Sequence, residues 1–183
     1  MNKNRWFWIV AFVSLVIDQI TKYWVVDNNY LLINSWRLWP GVFHLTFVMN
    51  RGAAFGIFPD GTWLRWLSLG VSLFLIVMVW SKPYLPLWEQ LGYGFILGGA
   101  MGNGIDRFVL SFVIDFLHFP IVKFPMFNWE QKKIFWNEFP VFNFADVFIN
   151  VGIICLLIAY FGNPEQNGSQ EKMPQDREQQ AEK

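Results

Sequence analysis

The sequence predicts an all-α integral membrane protein with four transmembrane helices and a small β-hairpin region on the membrane surface. Of the 183 residues, 54% are hydrophobic, 20% are aromatic and only 15% are charged, whereas soluble domains carry roughly 25% charged residues. The apolar residues gather in four segments, at 6–26, 63–80, 87–110 and 141–161. Each is close to the roughly 20 residues that a helix needs to cross a bilayer. The 11 tryptophans cluster near the segment ends and in the loops, as is typical of residues at the membrane interface.

The first apolar segment begins like a secretory signal peptide, because Lys3 and Arg5 precede it. It is too long for the apolar region of such a peptide, it contains Asp18 and Lys22, and it lacks a small-residue cleavage site. We therefore interpret it as the first span of a single membrane domain over residues 1–161. By the positive-inside rule, Lys3 and Arg5 favour a cytoplasmic N-terminus, although the other loops give a tie.

The connections between the spans differ in character. Residues 27–61 contain two alternating stretches separated by Pro40 and Gly41, which predicts a strand, a turn and a strand on the membrane surface. The long aromatic connection at 111–140 includes residues 129–133, which we interpret as an amphipathic turn at the interface. Residues 162–183 are rich in Gln, Glu, Asn and Lys without an apolar period, which predicts a disordered tail.

The third apolar segment carries Gly94, Gly98 and Gly102 at four-residue spacing, which predicts close approach of a neighbouring helix. The single Cys155 lies mid-way along the fourth segment, so we expect a packing role and no intrachain disulfide. The net charge of zero argues against a nucleic-acid partner.

Two aspartates lie at the rims of apolar segments, where an unpaired carboxylate is costly and marks a candidate functional site. Asp115 follows the third segment and Asp146 lies near the start of the fourth. Two carboxyl groups brought together tend to share one proton, so that one serves as a base and the other as an acid. This chemistry is typical of aspartic peptidases.

Asp18 and Lys22 form an i, i+4 pair in the first segment. One hypothesis is a substrate-binding or proton-handling pair. The interpretation we favour is structural: the two charges neutralise each other near the outer interface, and the Lys22 side chain reaches towards the polar surface.

Asn103, Asp106 and Arg107 lie on one helix face at the end of the third segment. For Asp106 beside Arg107 the sequence predicts an ion pair or a helix-end contact, and it disfavours catalysis by Asp106, because a fixed guanidinium keeps a carboxylate ionised.

A second polar face is formed by Asn143, Asp146 and Asn150, which lie in register in the fourth segment. A lone asparagine commonly makes an interhelical hydrogen bond, but three polar residues that include a carboxylate favour a site.

Metal and serine mechanisms have weak support. His44, Asp115 and His118 are the residues that raise a metal hypothesis, but the sequence has no H-E-x-x-H motif and no evident third ligand. A G-x-S-x-G motif is also missing. We therefore expect no metal and interpret His118 as an interface residue.

The motifs together resemble those of the bacterial lipoprotein signal peptidases (signal peptidase II) over nearly the whole chain up to the tail. Five sequence blocks carry the resemblance in the family's order: Asp18 to Lys22, Asn50 to Phe55, Gly98 to Arg107, Val113 to Phe116 and Phe142 to Asp146. One departure is a longer stretch between the two candidate catalytic aspartates, from Phe124 to Asn137.

The resemblance implies an intramembrane aspartic endopeptidase that cleaves prolipoproteins on the N-terminal side of a diacylglyceryl-modified cysteine, without a cofactor. It implies Asp115 and Asp146 as the catalytic pair. Six further positions match residues that shape the site or bind substrate: Asn50, Asn103, Arg107, Asn143, Asp18 and Lys22. It also implies a place in the bacterial inner membrane, with both termini and the tail cytoplasmic and the active site and hairpin towards the outer face. Separately, we expect a monomer in contact with membrane lipid.

Two other function classes compete with this interpretation. A small transporter could use Asp18, Asp106, Asp115 and Asp146 as an ion path, but such a path needs polar groups staggered through the bilayer or paired broken helices. A structural scaffold would leave the motifs around the two rim aspartates unexplained.

Overall fold

A computed structural model describes residues 4–32, 35–52, 63–120, 123–128 and 133–162. The predicted disordered tail therefore lies almost wholly outside the described residues. So do residues 129–132, which make up most of the predicted amphipathic turn.

Helices account for all four apolar segments. Their bounds are Arg5–Asp27 (α1), Asn29–Leu32 (α2), Leu64–Ser81 (α3), Leu87–Val109 (α4) and Phe144–Phe161 (α5). Three of them, α1, α3 and α5, are long enough and apolar enough to cross a membrane. The prediction of a helical membrane protein is confirmed at this level.

Helix α4 has the length of a span, with 23 residues, but is less apolar than the other long helices. It packs against α1, α3 and α5 and buries Gln90, Asn103 and Asp106 together with several glycines. A helix surrounded by protein can carry polar residues that a lipid-facing helix cannot. Its mixed composition therefore reflects its central position.

Glycines in α4 allow its neighbours to approach closely, as their spacing predicts. A β-carbon at Gly94 would lie 2.8 Å from the backbone oxygen of Phe7, and one at Gly102 would collide with Asp18. These contacts place α1 along one side of α4. On the other side, a β-carbon at Gly92 would lie 2.9 Å from the backbone oxygen of Gly152 in α5.

The predicted strand, turn and strand are confirmed: Trp36–Trp39 (β1) pairs antiparallel with Phe43–Asn50 (β2). The structure adds a strand that the sequence did not predict, because Val113–His118 (β3) pairs with the other edge of β2. Asp115 therefore lies on a strand. The apolar residues of β3 pack with Val25 of α1 in a small core.

The longer stretch between the two rim aspartates contains its own antiparallel hairpin. Lys123–Asn128 (β4) pairs residue by residue with Lys133–Glu138 (β5). This two-stranded sheet is separate from the three-stranded sheet that carries Asp115.

The segment before α5 is attached to β3. The backbone nitrogen of Phe142 donates to the oxygen of Leu117 at 3.1 Å, and the nitrogen of Leu117 donates back to Phe142 at 2.8 Å. This bridge places Asn143, the N-cap of α5, beside the strand that contains Asp115. The last turn of α4, the first turn of α5 and the sheet thus meet at one end of the bundle.

Candidate active site

Asp115 is buried at this end of the bundle, with 2% of its surface exposed. Its Oδ2 atom accepts a hydrogen bond from Asn50 Nδ2 at 2.9 Å, and its Oδ1 atom accepts one from Asn143 Nδ2 at 2.7 Å. Asn50 lies on β2 opposite Val113, so it reaches Asp115 diagonally on the same sheet face. The strand pairing therefore determines where this carboxyl group lies.

Asn143 connects Asp115 to Asp146 through a capping box at the start of α5. Its Oδ1 atom accepts from the backbone nitrogen of Asp146 at 3.1 Å, and its own backbone nitrogen donates to Asp146 Oδ2 at 3.3 Å. Reciprocal bonds of this kind satisfy two donors that a helix N-terminus leaves free. Asn143 is fully buried, whereas Asp146 is only partly buried.

Asn103 of α4 forms a second connection. Its Nδ2 atom donates to Asp146 Oδ1 at 2.8 Å, and its Oδ1 atom accepts from Asn143 Nδ2 at 3.0 Å and from Lys22 Nζ at 2.9 Å. Lys22 can only donate, which fixes the orientation of the Asn103 amide. The two rim aspartates are therefore held in one hydrogen-bonded network.

Lys22 lies at the centre of a buried ion cluster behind these aspartates. Its Nζ atom is 2.9 Å from Asp18 Oδ2 and 2.9 Å from Asp106 Oδ2. The predicted neutralisation of Asp18 by Lys22 is confirmed. The predicted reach of Lys22 towards the surface is wrong, because only 2% of its surface is exposed. A second carboxylate and an amide oxygen complete its partners, so the ammonium group is satisfied inside the bundle.

Arg107 follows this cluster in the last turn of α4. The predicted ion pair between Arg107 and Asp106 is wrong, because Asp106 pairs with Lys22 instead. The alternative of a helix-end contact of Asp106 is confirmed, since its Oδ2 atom accepts from the nitrogen of Ile114 at 3.1 Å, just beyond the end of α4. Arg107 Nη1 donates to the backbone oxygen of Asn103 at 3.4 Å. The largest electrostatic attraction of its guanidinium is to Asp146, followed by Asp115. Arg107 thus supplies positive charge on the side of the two rim aspartates.

The two rim carboxyl groups differ in their surroundings. Burial is the main cause that raises the pKa of Asp115 to about 7, and the negative charge of Asp146 adds to this rise. The hydrogen bonds from Asn50 and Asn143 oppose the rise in the pKa but do not cancel it. Asp146 lies in the first turn of α5, where the helix dipole favours a negative charge.

The two histidines that raised the metal hypothesis, His44 and His118, lie on the three-stranded sheet. His44 pairs with His118 across β2 and β3, with ring centroids 5.6 Å apart, and His118 Nδ1 lies 3.1 Å from the Thr46 hydroxyl. Within the described part of the chain, no three His, Cys, Asp or Glu side chains are arranged to hold a metal ion.

Comparison with known proteins shows the family of this chain. Residues 10–162 match the family model described as signal peptidase (SPase) II. The chain belongs to the signal peptidase II family. It is 51% identical to the lipoprotein signal peptidase of Gloeothece citriformis over 176 residues, which cover 96% of this chain and 99% of that protein. It is 54% identical to the lipoprotein signal peptidase of Nostoc punctiforme, with 87% and 91% covered.

Solved structures of the same architecture support the family assignment. A bacterial membrane enzyme determined at 2.3 Å resolution superposes with a TM-score of 0.67 at 26% identity, covering 91% of this chain and 92% of its own. A second bacterial membrane enzyme, at 1.9 Å resolution, gives a TM-score of 0.64 at 27% identity, with 83% and 90% covered. The family resemblance inferred from the five motifs is confirmed.

The structure brings together all eight residues that the sequence analysis selected for the signal peptidase II site. It also adds Gln19, whose Nε2 atom contacts Asp18 Oδ2 at 3.2 Å and Asp106 Oδ1 at 3.3 Å. Asp106 belongs to the same network, although the sequence gave it little weight. The available signal for both was a polar side chain within an apolar span.

Proposed function

We propose that this protein is an intramembrane aspartic endopeptidase in which Asp115 and Asp146 are the catalytic pair. The observation that carries the proposal is the bridge through Asn143, which contacts the carboxyl groups of both aspartates. Carboxyl groups held close together in a buried site share a proton, and this divides the roles of acid and base between them.

The proposed substrate is a prolipoprotein whose cysteine carries a diacylglyceryl group, and the bond cleaved lies on the N-terminal side of that cysteine. Membership of the signal peptidase II family and the names of the relatives support this substrate class. The partners are these substrates and membrane lipid, with no nucleic acid, and the enzyme acts as a monomer without a metal or organic cofactor.

In the proposed reaction Asp146 is the base. It is partly exposed and stabilised as an anion by Asn103 and by the start of α5, so it can take a proton from a water molecule. The water oxygen then attacks the scissile carbonyl carbon, while Asp115 donates its proton to the carbonyl oxygen. Asp146 then gives this proton to the nitrogen as the C–N bond breaks, and Asp115 takes a proton back from a hydroxyl group of the intermediate, which leaves a carboxylic acid and a free amine. Asn50 and Arg107, which lie beside the two catalytic aspartates, would hold the substrate.

We also propose that α4 is the fourth span, with both termini in the cytoplasm of a bacterium and the active site at the outer face of its inner membrane. At the end opposite the site, Asn4 Nδ2 donates to the backbone oxygen of Lys82 at 3.1 Å. The start of α1 and the turn after α3 therefore share one side. Arg5 and Lys82 would give this side its positive charge.

Labelling of intact cells with a membrane-impermeant thiol reagent tests this orientation. Trp36→Cys, on the exposed strand β1, should react from outside, whereas Tyr84→Cys, in the exposed turn before α4, should react only after lysis. The reverse pattern would contradict the orientation. A Cys155→Ser background removes the natural thiol.

An ion path is the alternative function. It is disfavoured because Asp18 and Asp106 share Lys22, and Asp115 and Asp146 share Asn143, in a single network at one end of the bundle. A path would need such groups distributed through the depth of the membrane.

Peptide cleavage and ion transport can be distinguished with one preparation of purified protein, assayed in detergent and in liposomes. The substrate is a prolipoprotein peptide with a diacylglyceryl cysteine, and the control is the same peptide with a free cysteine. Mass spectrometry should find a product beginning at the modified cysteine, and no such product from the control. Ion flux into liposomes without peptide cleavage would contradict the proposal.

A further inference from the structure

The buried ion cluster of Asp18, Lys22 and Asp106 is bonded to the backbone just before each proposed catalytic aspartate. Asp106 Oδ2 accepts from the nitrogen of Ile114 at 3.1 Å, and Asp18 Oδ1 accepts from the nitrogen of Ala145 at 2.9 Å. Ile114 immediately precedes Asp115, and Ala145 immediately precedes Asp146. Each bond therefore holds the backbone one residue before a proposed catalytic aspartate, one in β3 and the other in α5.

Lys22 joins these two attachments. Its ammonium group lies 2.9 Å from a carboxylate oxygen of Asp106 and 2.9 Å from one of Asp18. A continuous chain of polar contacts thus runs from the backbone of β3, through Asp106, Lys22 and Asp18, to the first turn of α5. All three side chains are nearly inaccessible to solvent.

We propose that Asp18, Lys22 and Asp106 are positioning residues that set the separation of the two catalytic carboxyl groups. The proposal rests on the function proposed above for Asp115 and Asp146. An acid and a base that act on the same peptide bond must both be within hydrogen-bond reach of it. A misplacement of about 1 Å can cost about 100-fold in rate, so a rigid link between the two segments has a direct use.

Stability alone gives a weaker explanation of this cluster. A buried ion cluster is often no more stabilising than apolar side chains of the same volume, because desolvation opposes the attraction between the charges. Hydrogen bonds are directional, however, and apolar contacts are not. The cluster thus fixes the positions of β3 and α5 relative to each other. Apolar side chains that gave equal stability would not fix them in this way.

A competing explanation is that the cluster acts through its charge on the catalytic pair. Asp106 separates the two explanations, because its Oδ2 atom accepts from both Ile114 and Lys22. Asp106→Asn keeps one oxygen at that position and loses the charge, and its new NH2 group gives up only the 3.3 Å bond from Gln19 Nε2. Asp106→Glu keeps the charge and displaces the acceptor by one methylene group.

The test is kcat and KM for cleavage of the diacylglyceryl peptide, expressed per folded enzyme. Positioning predicts that Asp106→Asn retains kcat within about tenfold, whereas Asp106→Glu loses about 100-fold in kcat with KM changed less than about threefold. The opposite order, or wild-type kcat in both variants, would overturn the proposal. If Asp106→Glu does not fold, Asp106→Ala replaces it with the same expected loss.

Two control variants complete the experiment. Asn4→Ala removes a buried acceptor that binds the Leu85 nitrogen at 2.9 Å at the opposite end of the bundle. It should lower thermal stability but leave kcat unchanged. Asp115→Asn tests the pair itself: activity in this variant would reject the proposed catalytic pair. An inactive Asp115→Asn beside a fully active Asp106→Glu would reject only the positioning role.

Discussion

Asn143 Nδ2 donates a hydrogen bond to Oδ1 of Asp115 across 2.7 Å. The same side chain caps the helix that carries Asp146, through a bond from the Asp146 nitrogen to Asn143 Oδ1 at 3.1 Å. One residue therefore relates the position of one proposed catalytic carboxyl group to the start of the helix that presents the other.

Replacing Asn143 by serine should separate these two tasks. Serine is as good an N-cap as asparagine, but its side chain is too short to bridge to Asp115. We expect Asn143→Ser to keep the cap but to lose the bonds from Asn143 Nδ2 to Asp115 and Asn103, and with them at least about tenfold in kcat, the equivalent of ~1.4 kcal/mol. Asn143→Ala should be less stable than Asn143→Ser by roughly 0.5–2 kcal/mol for the missing cap. Full activity in Asn143→Ser would contradict the bridging role.

The raised pKa of Asp115 should appear in the stability of the protein. Burial, followed by the charge of Asp146, raises this pKa from 3.8 to about 7, so the folded state binds the proton more tightly than the unfolded state. The resulting stabilisation is complete below about pH 4 and is lost as the pH rises through about 7. The Tm of the wild type should therefore fall over this range relative to that of Asp115→Asn.

Asp27→Asn is the control for this measurement, because Asp27 is exposed at the end of α1. Its Tm should follow the wild-type pH profile. Parallel profiles for the wild type and Asp115→Asn would show that Asp115 takes up no extra proton on folding.

Arg107→Ala should be more damaging to cleavage than Arg37→Ala. Arg107 is partly buried and is attracted most strongly to Asp146 and Asp115, whereas Arg37 is exposed on β1. We expect a loss of at least about tenfold in kcat/KM for Arg107→Ala, or ~1.4 kcal/mol, and a modest effect for Arg37→Ala. Arg107→Lys keeps the charge and should recover part of the loss. Cleavage lost in Arg37→Ala but not in Arg107→Ala would place the substrate site elsewhere.

Chelators should not inhibit the enzyme. The described residues offer no cluster of three metal-binding side chains, and the proposed reaction needs only the two carboxyl groups and water. Cleavage of the lipid-modified peptide should proceed at the same rate with and without EDTA. Inhibition that zinc reverses would instead assign His118 as a ligand.

Much of the fold follows from local sequence, because a span needs only a long apolar run and a hairpin only alternation around a turn. The helices and the pairing of β1 with β2 were predicted for this reason. Strand β3 was not, because the four apolar residues among its six, Val113–His118, do not alternate with polar ones. Its pairing with β2 is a non-local contact that the local pattern does not reveal.

The candidate site also combines features that the local sequence reveals with contacts that it does not. The eight selected residues could be found because polar groups are rare in apolar segments and recur in family motifs. The partner of Asp106 could not be found, because adjacency to Arg107 in sequence suggested one cation and the packing of α1 on α4 supplied Lys22 instead. Partners of buried charges depend on how helices pack, which a single sequence does not encode locally.

Cleavage of the diacylglyceryl peptide by Asp115→Asn and by Asp146→Asn tests the catalytic pair most directly. Both variants, shown to be folded by thermal unfolding, are compared with Asp27→Asn, which changes an exposed aspartate. Loss of an acid or a base removes at least about 100-fold to 10,000-fold in rate, so each variant should show no product above background while Asp27→Asn remains fully active. Wild-type turnover in a folded Asp115→Asn or Asp146→Asn protein would contradict the aspartic mechanism.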